Sequence, residues 1–224
     1  MAAARSVVNL TVHGIGPYPR TLDPGEDGTW VTVGQFEQVL DAVMGRPDVR
    51  ITFDDGNASD VEIALPRLRE RGLTAEFFVL AGLLGQPGRL DAEGVRELVR
   101  AGMRVGSHGW AHRDWRRIGR QEADEEIGRA NALLSDLTGQ PVTRVAIPFG
   151  SYDRHVLHRL RRAGLSRAYT SDGGRARPDA WLQARTSLTC DLDDAWTRAV
   201  LDGRPSLRTR ARRVAARAFK RLRG

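Results

Sequence analysis

A single cysteine, Cys190, stands among the 224 residues, so no disulfide can form within the chain and the fold cannot depend on oxidation. No local motif surrounds that thiol, and it reads as a small packed side chain rather than a nucleophile. No apolar run approaches the roughly 18 residues that a membrane-crossing helix needs. The opening stretch MAAARSVVNLTVHG holds one arginine and no sustained apolar core. That is not the pattern of a secretory leader, so a cytoplasmic protein is expected. Charge is unbalanced most strongly at the C-terminal end. From Gly203 onward there are nine basic side chains and no acidic one, within a formal net charge of +7. The remainder holds 26 basic against 28 acidic residues, and a body so balanced is not expected to bind nucleic acid by charge.

What is present suffices for a proper core, since 41% of the residues are hydrophobic. Alternation marks a strand from Val7 to Val12 that ends at His13, then an irregular Gly14-Ile15-Gly16-Pro17-Tyr18-Pro19 and a surface loop over residues 20–31. Thr32 with Gln35 has the spacing of a capping box for a helix through Phe36, Val39, Leu40 and Val43. A strand from Val49 follows, then a helix with Ile63, Ala64 and Leu68 on its apolar face, which Ser59 or Asp60 is placed to cap. Pro66 inside that pattern requires a late start or a kink. Further strands are expected over Thr74 to Leu80, Met103 to Ser107, Arg144 to Ile147, Arg167 to Thr170 and Leu182 to Leu188. Helices are expected from Asp91 to Gly102, Gln121 to Leu137, Arg154 to Ala163 and Asp191 to Leu201. The alternation, repeated about seven times, is that of an α/β protein with parallel strands wrapped by helices. One domain over residues 1–203 and a basic tail over 204–224 is the expected organisation.

The densest chemistry lies in VRITFDDGNASD, Val49 to Asp60. A β-branched strand runs straight into Asp54 and Asp55, and adjacent residues at a strand's end can face different ways, so the two carboxylates need not share a task. Gly56 allows the tight turn. Carboxylates at the C-terminal end of a strand sit where α/β proteins build their sites. His108 and His112 follow another strand, with Gly109 between them favouring a loop. Arg144, four residues before Pro148-Phe149-Gly150, joins a cation to a stiff turn. Two imidazoles and one carboxylate suit Zn²⁺ with a position open to water, although other divalent ions use the same donors.

Taken in order, TFDDG, H-x-x-x-H and R-x-x-x-P-[FY]-G resemble the signatures of the polysaccharide deacetylases, family 4 of the carbohydrate esterases, over roughly Val7 to Leu188. The resemblance implies a distorted (β/α)7 barrel and a metal-dependent hydrolase that removes N-acetyl groups from an amino-sugar glycan or its precursor. It assigns Asp55, His108 and His112 to a divalent metal, zinc first, and Asp54 to general base. Arg144 would hold Asp54 in orientation, and the Phe149 backbone N–H would meet the oxyanion, with Pro148 fixing that turn. The metal would polarise the acetyl carbonyl and lower the pKa of its water from 15.7 toward about 7.

Two segments depart from the family pattern. No histidine follows His158, and His155 and His158 fall on a surface helix, so the C-terminal histidine that protonates the leaving amine is missing. His13, in Leu10-Thr11-Val12-His13, is the substitute, because the first and last strands of a closed barrel are neighbours. This order resembles the branch that deacetylates exopolysaccharides of N-acetylglucosamine. Around Tyr169 to Gly174 the family's D-x-x-D-W segment is degraded, leaving Asp172 either to tune the catalytic histidine or to make a turn. Trp110, Trp115, Tyr152 and Trp181 are available either to stack on sugars or to pack the core. Hydrolysis of another non-peptide C–N bond, or carbohydrate binding without catalysis, are the competing functions. In the tail, Leu207, Ala211, Val214, Ala215, Ala218 and Leu222 recur at helical spacing among arginines. Such a helix can lie on an anionic membrane surface, or remain solvated, or engage nucleic acid or a partner protein.

Overall fold

In the computed structural model, residues 6–22, 24–202 and 218–220 are described. In chain order they form β1 (Val7–Val12), β2 (Gly14–Ile15), β3 (Trp30–Val31), α1 (Val33–Val43), β4 (Val49–Phe53), α2 (Leu65–Glu70), β5 (Ala75–Val79), α3 (Ala92–Arg100) and β6 (Arg104–Ser107). There follow α4 (Arg120–Ala123), α5 (Ala130–Thr138), β7 (Arg144–Ala146), α6 (Arg154–Arg162), β8 (Arg167–Thr170), β9 (Arg175–Ala176), β10 (Leu182–Ala184), β11 (Thr186–Ser187) and α7 (Asp194–Asp202).

The main sheet runs β10-β8-β7-β6-β5-β4-β1-β11, with β9 on β1, while β2 and β3 pair separately. Every neighbour along that path is parallel, and β9 alone is antiparallel to β1. The two ends of the path are halves of one extended segment. Its first half pairs with β8, Leu182 opposite Ala168, and its second with β1, Leu10 opposite Thr186. Arg185 sits at the crossing, its N–H still donating to the Thr170 carbonyl at 3.0 Å. One segment thus bonds to both edges, and the sheet curls almost fully closed into a (β/α)7 barrel. Expected as one strand from Leu182 to Leu188, it is two short strands broken at Arg185, because it must change partners there.

Period-two alternation sorts the barrel wall. Val8, Leu10 and Val12 pack outward with Phe36, Val39 and Leu40 of α1, and Phe53 stacks on Phe77 with ring centroids 4.4 Å apart. The intervening residues of β1 face inward and are polar. Asn9 donates to Gln183 at 3.1 Å, and the Thr11 and Thr52 hydroxyls meet at 3.1 Å. A polar interior needs partners for each of its groups, and this is why buried charge can be accommodated there.

The capping box of Thr32 and Gln35 is present on α1, and Asp91 caps α3 by accepting from Gly94 N–H at 2.7 Å. Pro66 lies in the first turn of α2, so the helix starts late rather than kinking. Ser59 caps nothing; its hydroxyl accepts from the Ile15 N–H at 3.4 Å, and a wide turn over Asp60–Ala64 leads into the helix. The helix expected from Gln121 is interrupted by a second wide turn, Asp124–Arg129. Trp115 and Tyr152 are buried in the core and cannot be sugar platforms. Trp110 and Trp181 are covered by the guanidinium groups of Arg129 and Arg161, at 4.0 and 4.4 Å. Cys190 is exposed rather than packed. Among the described residues, no helix is long and apolar enough to cross a membrane. The tail expected over 204–224 lies outside the described residues apart from 218–220.

Candidate metal centre and active site

At the carboxyl end of β4 the two aspartates part company. Asp54 keeps the strand's hydrogen bonding, its N–H donating to the Val12 carbonyl at 2.9 Å. Asp55 turns into the left-handed region at φ 75°. The described non-glycine residues with positive φ are Asp55, His112 at 57° and Phe149 at 58°, and all three line one cavity of about 570 Å³. Each such conformation costs on the order of 1–3 kcal/mol, so the strain in this backbone is collected where three loops meet.

His108 leaves the end of β6 with its Nδ1 2.9 Å from the Ala146 carbonyl. That bond holds the proton on Nδ1 and turns Nε2, as a lone pair, toward Asp55. Nε2 of His108 lies 3.4 Å from Asp55 Oδ1, and Nε2 of His112 lies 3.8 Å from the same oxygen. Asp55 Oδ1 is buried without a hydrogen-bond partner, and one donor atom from each of the three residues falls within 4.8 Å of the others. An orphaned carboxylate oxygen between two imidazole lone pairs fits a divalent cation. Burial, then the charge of His108, pushes His112 down to about 4 against the pull of Asp55 and Asp54. At neutral pH it is therefore unprotonated, the form in which an imidazole can hold a metal.

The loop bearing both histidines is tied down by Glu126, a buried carboxylate inside the wide turn between α4 and α5. It accepts from Ala111 N–H at 2.8 Å, Trp110 N–H at 3.3 Å and the Trp115 indole at 3.2 Å. Gly109 runs so close that a Cβ there would sit 2.5 Å from Glu126 Oε2. Sequence reasoning missed Glu126, whose only trace is an acidic residue on an otherwise amphipathic helix.

Asp54 is gripped by Arg185, which donates from Nη1 and Nη2 to the two carboxylate oxygens at 2.6 Å each. Burial alone would raise the Asp54 pKa. The Arg185 charge and its two hydrogen bonds, with His108 and His13 adding to them, instead hold it well below the usual carboxylate range. The expectation for Arg144 is thereby corrected. Arg144 donates to Glu76 Oε2 at 2.9 Å, and the Tyr169 hydroxyl donates to the same oxygen at 2.8 Å. The reason is strand length: Arg144 opens β7 whereas Pro148 follows its end, and four residues at about 3.3 Å each separate them along the barrel. Arg185 was missed because a lone arginine in a short strand carries no motif.

His13 follows β1 and faces the same cavity as Asp54, Asp55, His108, His112 and Phe149. Its carbonyl accepts from Asn57 Nδ2 at 2.5 Å, and its Nδ1 is buried without a partner. Phe149 sits in the Pro148–Gly150 turn with its ring 4.3 Å from that of His112. Asp172 does not reach His13. It accepts from the Tyr152 hydroxyl at 2.7 Å, Thr170 Oγ1 at 3.0 Å and Lys220 Nζ at 2.8 Å, so it anchors a turn instead of tuning the histidine. His155 and His158 are exposed on α6, as expected.

Asp60, near enough to Asp55 and Asp54 to feel their charge, is buried, and neither of its carboxylate oxygens has a hydrogen-bond partner among the described residues. Burial first, and then the charges of Asp55 and Asp54, raise its pKa well above the ordinary value. A carboxyl so raised keeps its proton in the folded chain at pH values where the unfolded chain has lost it, so stability falls as pH rises through that window. In chelator-treated protein, Asp60→Asn is expected to raise Tm, about 2–4 °C for each kcal/mol recovered. The gain should be larger at pH 7 than at pH 4.5. A lowered Tm, or a change independent of pH, would contradict the assignment.

The family model for polysaccharide deacetylase matches residues 41–168. YxkH of Bacillus subtilis, which bears the same family name, is 26% identical over 136 residues, 61% of this chain and 49% of its own length. The chitooligosaccharide deacetylase of Sinorhizobium fredii is 30% identical over 129 residues, 57% of this chain and 58% of its own. The chain thus spans about half the length of these curated relatives. Among solved structures, the Streptococcus pyogenes deacetylase PplD in complex with acetate superposes with a TM-score of 0.75 at 19% identity, covering 89% of this chain and 99% of that one. That likeness is one of fold. His13 and Arg185 both lie outside the span matched by the family model.

Proposed function

Because this chain belongs to the polysaccharide deacetylase family, we propose that it is a metal-dependent hydrolase that removes an N-acetyl group from an amino-sugar-containing glycan or glycan precursor. The observation that carries this reading is the pairing of two carboxylates with opposite circumstances: Asp55, orphaned between two imidazoles, and Asp54, held ionised by Arg185. Asp55, His108 and His112 would hold the cation, which when bound supplies Lewis acidity toward the acetamide and its attacking water.

The remaining work falls to the chain. Asp54, 3.8 Å from His108 Nε2, stands beside that centre as the base that takes the water's proton, and Arg185 keeps it ionised and aligned. The Phe149 backbone N–H, in its left-handed turn, is the donor for the oxyanion. His13, at the end of β1 beside the strand that carries Asp54, delivers a proton to the leaving nitrogen. The acetamide carbonyl carbon gains an oxygen from water and loses its bond to nitrogen, giving acetate and a free amine.

Purified protein loaded with Zn²⁺ should release acetate from N-acetylated oligosaccharides and lose that activity on chelation. In the same assay His13→Ala is expected to lower kcat about 10²–10⁴-fold, as for loss of a general acid, with metal content unchanged. Turnover of small amides without acetate release from any glycan would redirect the reading to another C–N bond. A near-normal kcat in His13→Ala would remove that residue from the mechanism.

A further inference from the structure

A second and larger basin, of about 970 Å³, opens at the other end of the barrel, around the amino ends of β4 to β8. Arg50, Arg104, Arg144 and Arg167 line it, with Glu76 the one acidic side chain among the described residues that do so. Strand register brings these charges together. Each arginine takes the first or second position of its strand, and the Cα partner of Arg144 is Arg167 on the next strand. Like charges directly opposite on adjacent strands are destabilising. Glu76 does not neutralise the group, since it is shared between Arg144 and the Tyr169 hydroxyl.

The other three guanidinium groups have no carboxylate within salt-bridge distance among the described residues. Among the described residues Arg50 reaches only the Pro178 carbonyl, at 3.4 Å. Burial, then the charges of Arg167 and Arg144, lowers its pKa, as crowding of like charges requires. Four forked cations around one committed carboxylate leave three positive charges unanswered in a concave site. The planar guanidinium fork matches the paired oxygens of phosphate. We propose that this basin binds a small phosphate-bearing molecule through a dianionic phosphate or diphosphate group, at a site separate from the metal centre. The site explains the position of Arg144, whose charge the deacetylation chemistry does not use.

Pyrophosphate and inorganic phosphate, titrated calorimetrically into chelator-treated full-length protein at low ionic strength, test the assignment. Saturable binding is expected, weakening as salt rises. Arg50→Gln with Arg167→Gln should weaken it at least about tenfold, and so should Arg104→Gln, whose exposed side chain leaves the fold unburdened. His108→Ala should bind as wild type does. Without anion, the arginine variants should melt at or above the wild-type temperature at low salt, because repulsion has been relieved. Equal affinity in wild type and the arginine variants would overturn the proposal, as would loss of binding confined to His108→Ala or no saturable binding at all.

Discussion

Asp54→Asn is expected to keep its metal and lose turnover, while Asp55→Ala and His108→Ala lose both. The difference rests on geometry that one peptide bond separates. Asp55 Oδ1 sits between the two imidazole Nε2 atoms with nothing else to bond, and removing it deletes one of three donors. Asp54 spends its two oxygens on Arg185 and lies farther from His108 Nε2, 3.8 Å against the 3.4 Å of Asp55. An amide at position 54 preserves shape but cannot take a proton, so kcat should fall about 10²–10⁴-fold. Metal analysis of the purified variants, beside acetate release, separates the outcomes. Equal metal loss in Asp54→Asn and Asp55→Ala would show that the two carboxylates do not divide the work.

Arg185→Met should produce the largest change in stability. Breaking a buried ion pair by removing one partner costs about 3–5 kcal/mol, because the charge left behind stays unpaired. For a chain of this size that corresponds to a fall in Tm of roughly 6–20 °C. The sign of its pH dependence follows from Asp54. With Arg185 present the carboxyl is held below its ordinary pKa, so the pair stabilises the fold above that ordinary value and the contribution is lost as pH falls through the depressed one. Without Arg185 burial raises the pKa against only the weaker pull of His108 and His13, so the penalty is full at neutral pH and shrinks toward pH 4. Calorimetric scans of metal-free wild type and variant at pH 7 and pH 4 measure this. Arg185→Lys should recover part of the Tm but little of the kcat, since an ammonium cannot grip both oxygens. A Tm difference that stayed constant with pH would show that Arg185 acts through packing rather than through Asp54.

Much of the barrel was legible because its elements are local. The 3.6-residue and two-residue periodicities, the Thr32 and Asp91 caps and the proline at the start of α2 each follow from a few neighbouring residues. The cluster of Asp55, His108 and His112 was legible for the same reason, since all three lie in short motifs at or just after strand ends, and the fold brings their donor atoms together. Where local signals ended, readings went astray. Arg144 was placed beside Asp54 by its resemblance to the arginine of the family motif, although it lies at the opposite end of the barrel on Glu76.

By itself, then, the sequence determined the alternating α/β order, the family and the set of carboxylates and imidazoles available for chemistry. Only the tertiary structure decided which charges meet. Arg185 finds Asp54 across 131 positions of the chain because the last segment must cross from β8 to β1 to close the sheet, and the side chain at the crossing turns inward. Glu126 reaches the histidine loop because a wide turn interrupts its helix. The four arginines converge because parallel strands bring their first two residues to one end. None of these pairings leaves a periodic trace, since closure of the barrel couples residues by register and not by spacing.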